Sequence, residues 1–147
     1  MPVEVLATPR ADQQIAQLDR KESKRFNDFL DALAARGRRA LGYRLTGSSP
    51  IDHICVKHVG DEFRVVVAFE SRGRAWILLI GPHDDRDPVL DVYAELYRLL
   101  GTRPPPAIRR TKPPCCESAG GMPPILGDAL AEILDHAAEV RRCRRRA

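Results

Sequence analysis

At 147 residues the chain holds one domain of ordinary size plus an appendage, and with only 5% aromatic residues its core must be aliphatic. The formal charge of +4 belongs wholly to the tail, because residues 1 to 101 carry 15 basic against 15 acidic side chains and residues 102 to 147 carry 9 against 5; net charge alone therefore gives the main domain no claim on a polyanionic partner. No run approaches the roughly 20 apolar residues of a membrane span, and Met1-Pro2-Val3-Glu4 lacks the basic and apolar regions of a signal peptide, so a cytoplasmic protein with no membrane partner is expected.

Val3-Glu4-Val5-Leu6-Ala7 reads as a short strand. Thr8-Pro9 then supplies a helix N-cap with proline in the first turn, and a first helix runs to about Leu18. Asp19 and Glu22 have the spacing of a capping box, after which Phe26, Phe29, Leu30 and Leu33 recur at helical period until Gly37 stops the run. The two helices form a hairpin whose apolar stripe covers a sheet. Leu41 to Gly47 connects the hairpin to the strands.

Gly60-Asp61, between two strand-like runs, reads as a two-residue hairpin loop. That register sets Ile54, Val56 and His58 with Phe63, Val65 and Val67 on a core face, and Cys55, Lys57, Arg64, Val66 and Ala68 on the other. Lys57 then lies directly opposite Arg64, an arrangement that destabilises a strand pair unless an anion compensates it; the alternative is two cations solvating an exposed face. A second hairpin, turning at Ser71-Arg72-Gly73-Arg74, puts Arg64 opposite Gly81 and His83 on Arg64's face. Asp87-Pro88 opens a third helix, along which Val89, Val92, Leu96, Leu99 and Leu100 form a stripe ending at Gly101, with Tyr93 and Tyr97 one turn apart. The order β-α-α-β-β-β-α is an α+β domain with helices on one face of a mainly antiparallel sheet and the opposite face open to a ligand.

Beyond residue 101 the prolines at 104 to 106, 113, 114, 123 and 124, with Gly120-Gly121, mark a linker over residues 102–124. Residues 125–147 read as a basic amphipathic helix to about Arg146, with Leu126, Leu130, Ile133, Leu134, Ala137 and Val140 as its apolar stripe. The cysteines at 55, 115, 116 and 143 lack the spacing of a disulfide framework and read as reduced thiols. Neither Cys115, Cys116 and Cys143 with His136 nor His83 with Asp84 and Asp85 matches a familiar metal module, so no metal and no cofactor is assigned.

The stretch Lys57-His58-Val59-Gly60-Asp61-Glu62-Phe63-Arg64-Val65-Val66-Val67, with Ile80-Gly81-Pro82-His83, Asp91-Val92-Tyr93 and Arg44-Leu45-Thr46-Gly47, resembles the RelE/ParE family of bacterial type II toxins over about residues 1 to 101. The resemblance implies a RelE-like fold and a toxin–antitoxin function. RelE-type members are ribosome-dependent endoribonucleases (mRNA interferases) that cut mRNA in the decoding site without a metal, directing the ribose 2′-hydroxyl onto the adjacent phosphate. Carried over by position, Arg64 and Lys57 hold the scissile phosphate, His83 exchanges a proton, and Tyr93 stacks on a base or helps deprotonate the hydroxyl. The implied partners are the ribosome with its mRNA and a cognate antitoxin, often a helix-turn-helix DNA-binding protein. Two other readings stay open: a ParE-like gyrase inhibitor, and a non-catalytic module that binds an antitoxin and co-regulates transcription. The loop from His83 to Tyr93 departs from short family members by extra length and by Asp84, Asp85 and Asp87.

Overall fold

The computed structural model describes residues 2–45, 53–60, 63–82, 91–101, 130–131, 133–134 and 141–142. Strand β1 (Glu4–Ala7) runs straight into α1 (Pro9–Ala16). Thr8 fixes that junction twice: its hydroxyl accepts from the Ala11 amide at 3.1 Å, and it donates to the Leu78 carbonyl at 2.8 Å. Helix α2 (Arg20–Arg36) starts with the expected capping box, in which Asp19 accepts from the Glu22 amide and Glu22 from the Asp19 amide. It ends at Gly37, whose φ of 59° lies where a side chain is unfavourable. A single 3-10 turn (Gly37–Ala40) leads to β2 (Tyr43–Arg44).

Strands β3 (Ile54–Val59), β4 (Phe63–Ser71) and β5 (Arg74–Pro82) form an antiparallel meander, and β1 pairs in parallel with the far side of β5. With β6 (Arg141–Arg142) beside β1, the sheet order is β2-β3-β4-β5-β1-β6. The molecule is thus α+β with a mixed sheet whose only parallel pair is β1 with β5, among the described residues. The second hairpin has the expected pairing of Arg64 with Gly81. Two irregularities interrupt it, leaving Leu78 and Glu70 unpaired; the first sends Leu78 and Leu79 to the same side of the sheet.

The first core lies between the helical hairpin and one sheet face, where Phe26, Phe29, Leu30 and Leu33 meet Cys55, Val59, Phe63, Val65, Val67 and Ile77. The opposite face is not open as expected from the sequence. Ile54, Val56, Val66, Ala68, Trp76, Leu78 and Leu79 build a second core there, closed by α3 (Val92–Leu99) and by Leu130 and Ile133. The reason is visible in β4 and β5, whose segments Val65–Phe69 and Ala75–Ile80 are buried without alternation; a strand apolar on both sides needs cover on both sides. A fully buried leucine such as Leu96 stabilises this arrangement by about 1.5–3 kcal/mol.

Two further expectations are corrected. Helix α3 is capped by Asp91, which accepts from the Ala94 amide at 3.0 Å, whereas Asp87 and Pro88 lie outside the described residues. The tail helix does not continue to Arg146, because Arg141–Arg142 is extended and pairs with Ala7 and Leu6. That pairing covers the backbone edge of β1, which an exposed edge strand would leave unsatisfied.

Candidate functional site

The site follows from the register of β3 on β4. Val59 pairs with Phe63 and His58 with Arg64, so Lys57 faces Val65 and not Arg64. This shifts the expected pairing by one residue, and a one-residue slip exchanges the two faces of a strand. Burial decides between the registers. The observed one keeps Cys55, Val59 and Phe63 together in the first core, whereas the alternative would bury His58 there; His58 is in fact exposed. Lys57 is therefore separated from Arg64 by the sheet and lines a cleft against α2.

On the Arg64 side, four side chains converge from four elements. Tyr43 of β2 pairs with Val56 and so shares the face of His58 and Arg64. Its hydroxyl lies 3.2 Å from His58 Nε2 and 2.8 Å from the Tyr93 hydroxyl. The Tyr43 and His58 rings meet edge to face, with centroids 5.6 Å apart. Tyr93 is the second residue of α3, and the first, Val92, sits over Gly81, where a Cβ would stand 3.5 Å from Val92 Cβ. The start of α3 packs over this point of β5, which sets Tyr93 beside Arg64. Glu95 braces α3 from the other side, accepting from Arg10 at 2.6 Å and from Gln14 at 3.3 Å, while Gln14 accepts from the Ile80 amide at 2.8 Å.

The Tyr93 hydroxyl is held well above the ordinary phenol range. Burial is the first cause, and the hydrogen bond and charge of Tyr43 follow; Arg64, by charge and hydrogen bonding, opposes the rise without reversing it. Tyr93 is thus a neutral phenol at physiological pH. It can donate or accept a hydrogen bond but is a poor proton acceptor, and at 8% exposure it offers little ring surface for stacking. Arg64 supplies a permanent cation, and histidine is the side chain that titrates nearest neutrality. One face therefore carries a cation, a proton carrier and a phenol donor within reach of each other.

Of the residues expected from the sequence, Arg64 and Tyr93 come together, Lys57 is on the opposite face, and His83 lies outside the described residues. Cys115, Cys116, Cys143, His136, Asp84 and Asp85 lie outside them as well, and Cys55 is a buried thiol of the first core. Tyr43 and His58 were missed. His58 carried a signal, being the one polar residue assigned to an otherwise apolar wall; Tyr43 carried none, because two residues of strand in a connector leave no periodicity. No family model matches the chain, and no curated protein matches it.

Proposed function

We propose that the chain is the toxin of a type II toxin–antitoxin pair and cleaves ribosome-bound mRNA without a metal. The observation that carries this reading is the cross-strand pair His58–Arg64 joined through Tyr43 to the buried Tyr93 hydroxyl. Cleavage by the ribose needs a proton acceptor for the 2′-hydroxyl, positive charge on the phosphorane and a proton for the leaving oxygen. His58 takes the 2′-hydroxyl proton as the 2′-oxygen–phosphorus bond forms. Arg64 pairs with the non-bridging phosphate oxygens, the bidentate contact for which guanidinium is suited, and Tyr93 donates a hydrogen bond to the same phosphate. The bond from phosphorus to the 5′-oxygen then breaks, and that oxygen takes its proton from His83, the residue which the family resemblance assigns to proton exchange. Tyr43 orients His58 through their hydrogen bond. The products are a 2′,3′-cyclic phosphate and a free 5′-hydroxyl.

The RelE-like arrangement of the fold is part of this proposal, supported by the helical hairpin on one face and the parallel pairing of β1 with β5. The test is induction of the chain in growing bacteria. Growth arrest with mRNA cut inside codons is expected, and Arg64→Ala relieves both; unchanged toxicity of that variant removes the site. A gyrase-directed toxin is the second reading, favoured by the register that takes Lys57 away from Arg64. Stabilised gyrase–DNA breaks with intact mRNA would select it.

A further inference from the structure

On the face of the sheet opposite Arg64, α2, the 3-10 turn and β3 enclose an open cleft of about 400 Å³. Arg25, Arg36, Arg39 and Lys57 line it, and among the described residues Asp28 is the one carboxylate that does so. Asp28 pairs with Lys24 at 3.5 Å, and among the described residues none of the four cations comes within 4.0 Å of a carboxylate. Gly60, whose φ of 77° favours glycine, ends β3 at the mouth of the cleft, and the tip of the Arg25 side chain lies against it, Nη1 standing 2.7 Å from where a Cβ would be.

Arg25 and Arg36 are separated by three turns of α2, about 16 Å along the helix axis. Charges spread over that length match a chain of anions and not a single one. His58 lines the same cleft while hydrogen-bonding to Tyr43 on the other face, so the cleft and the Arg64 site meet around the end of β3. We propose that this cleft binds the phosphate backbone of RNA, independently of base sequence, as the continuation of a strand seated at Arg64. The inference rests on the RNA-directed reading of that site. An acidic protein segment would meet the same charges but has no reason to continue towards Arg64 and His58.

The test measures binding of fluorescently labelled oligouridine to the purified full chain as a function of salt. Arg36→Gln with Arg39→Gln is expected to weaken binding at least tenfold at low salt. It should also flatten the log–log salt dependence by about 0.7 for each phosphate no longer neutralised. Lys57→Gln, a strand residue far from the helix terminus, should act in the same direction and serves if the double variant does not fold. Unchanged affinity and slope in folded variants overturn the proposal, as does a loss confined to polyglutamate binding, which assigns the cleft to acidic protein segments. The two readings fail separately. Cleavage abolished in Arg64→Ala with RNA binding unaltered by the cleft variants leaves the ribonuclease standing without the cleft; cleft-dependent binding by a wild-type chain that cuts no mRNA leaves the cleft without the ribonuclease.

Discussion

Replacing Tyr43 by phenylalanine removes a single oxygen from the centre of the site. Two hydrogen bonds go with it, one of 2.8 Å to Tyr93 and one of 3.2 Å to His58. A net value of about 0.5–1.5 kcal/mol per hydrogen bond sets the cost at about 1–3 kcal/mol. The lower half applies, since water can replace the partner of the exposed His58 while Tyr93 is buried. For a chain of this size, about 1–2 kcal/mol lowers the melting temperature by roughly 3–6 °C. The alkaline limb gives an independent readout. Because the Tyr93 hydroxyl titrates higher in the folded than in the unfolded chain, its contribution to stability is complete below the unfolded value near 10. It is lost progressively as pH rises from there towards the folded value. Tyr43→Phe removes one cause of the rise but not burial, the larger one, so the decline that begins near pH 10 ends at a lower pH and is smaller in total without vanishing. Urea denaturation across pH of wild type, Tyr43→Phe, Tyr93→Phe and the double variant measures the coupling, expected at or above about 0.5 kcal/mol. Strict additivity with an unaltered alkaline limb would refute the hydrogen-bonded pair.

Thr8→Val removes both the α1 cap and the bond to the Leu78 carbonyl at a buried position; a loss of about 1–3 kcal/mol in chemical denaturation is expected, and a loss below about 0.5 kcal/mol contradicts the double role. Ile133→Ala, at 3% exposure in the second core, should cost about 2–4 kcal/mol, whereas the exposed Ala131→Ser should change little. Equal stability of the two would mean that the C-terminal segment does not pack on the sheet.

What the sequence disclosed depended on how local the determining interactions are. The starts of α1 and α2 and the end of α2 were legible because Thr8-Pro9, Asp19 with Glu22, and Gly37 act within one turn. Arg64 opposite Gly81 was legible because a loop of two or of four residues at Ser71-Arg72-Gly73-Arg74 gives the same register, and the two irregularities between the turn and Arg64, one in each strand, cancel. The first hairpin was not. Gly60-Asp61 suits a two-residue loop, yet three residues separate the paired Val59 and Phe63, and the choice between them is made by which side chains the first core accepts. Cys55, Val59 and Phe63 fill it better than a histidine would, a tertiary preference that outweighs turn chemistry. Tyr43 is positioned by two residues of edge strand, and the closure of the second core by Leu130 and Ile133 joins segments distant in sequence.

The register of β3 on β4 decides which side chains meet Arg64, and single-turnover cleavage of mRNA on programmed ribosomes tests it most directly. With ribosomes in excess, His58→Ala should lower the cleavage rate by about 10²–10⁴, the range of a missing general base. Lys57→Ala, on the far face, should raise the ribosome concentration needed for half-maximal rate. Full cleavage by His58→Ala, together with loss of the saturated rate in Lys57→Ala, would contradict the His58–Arg64 site.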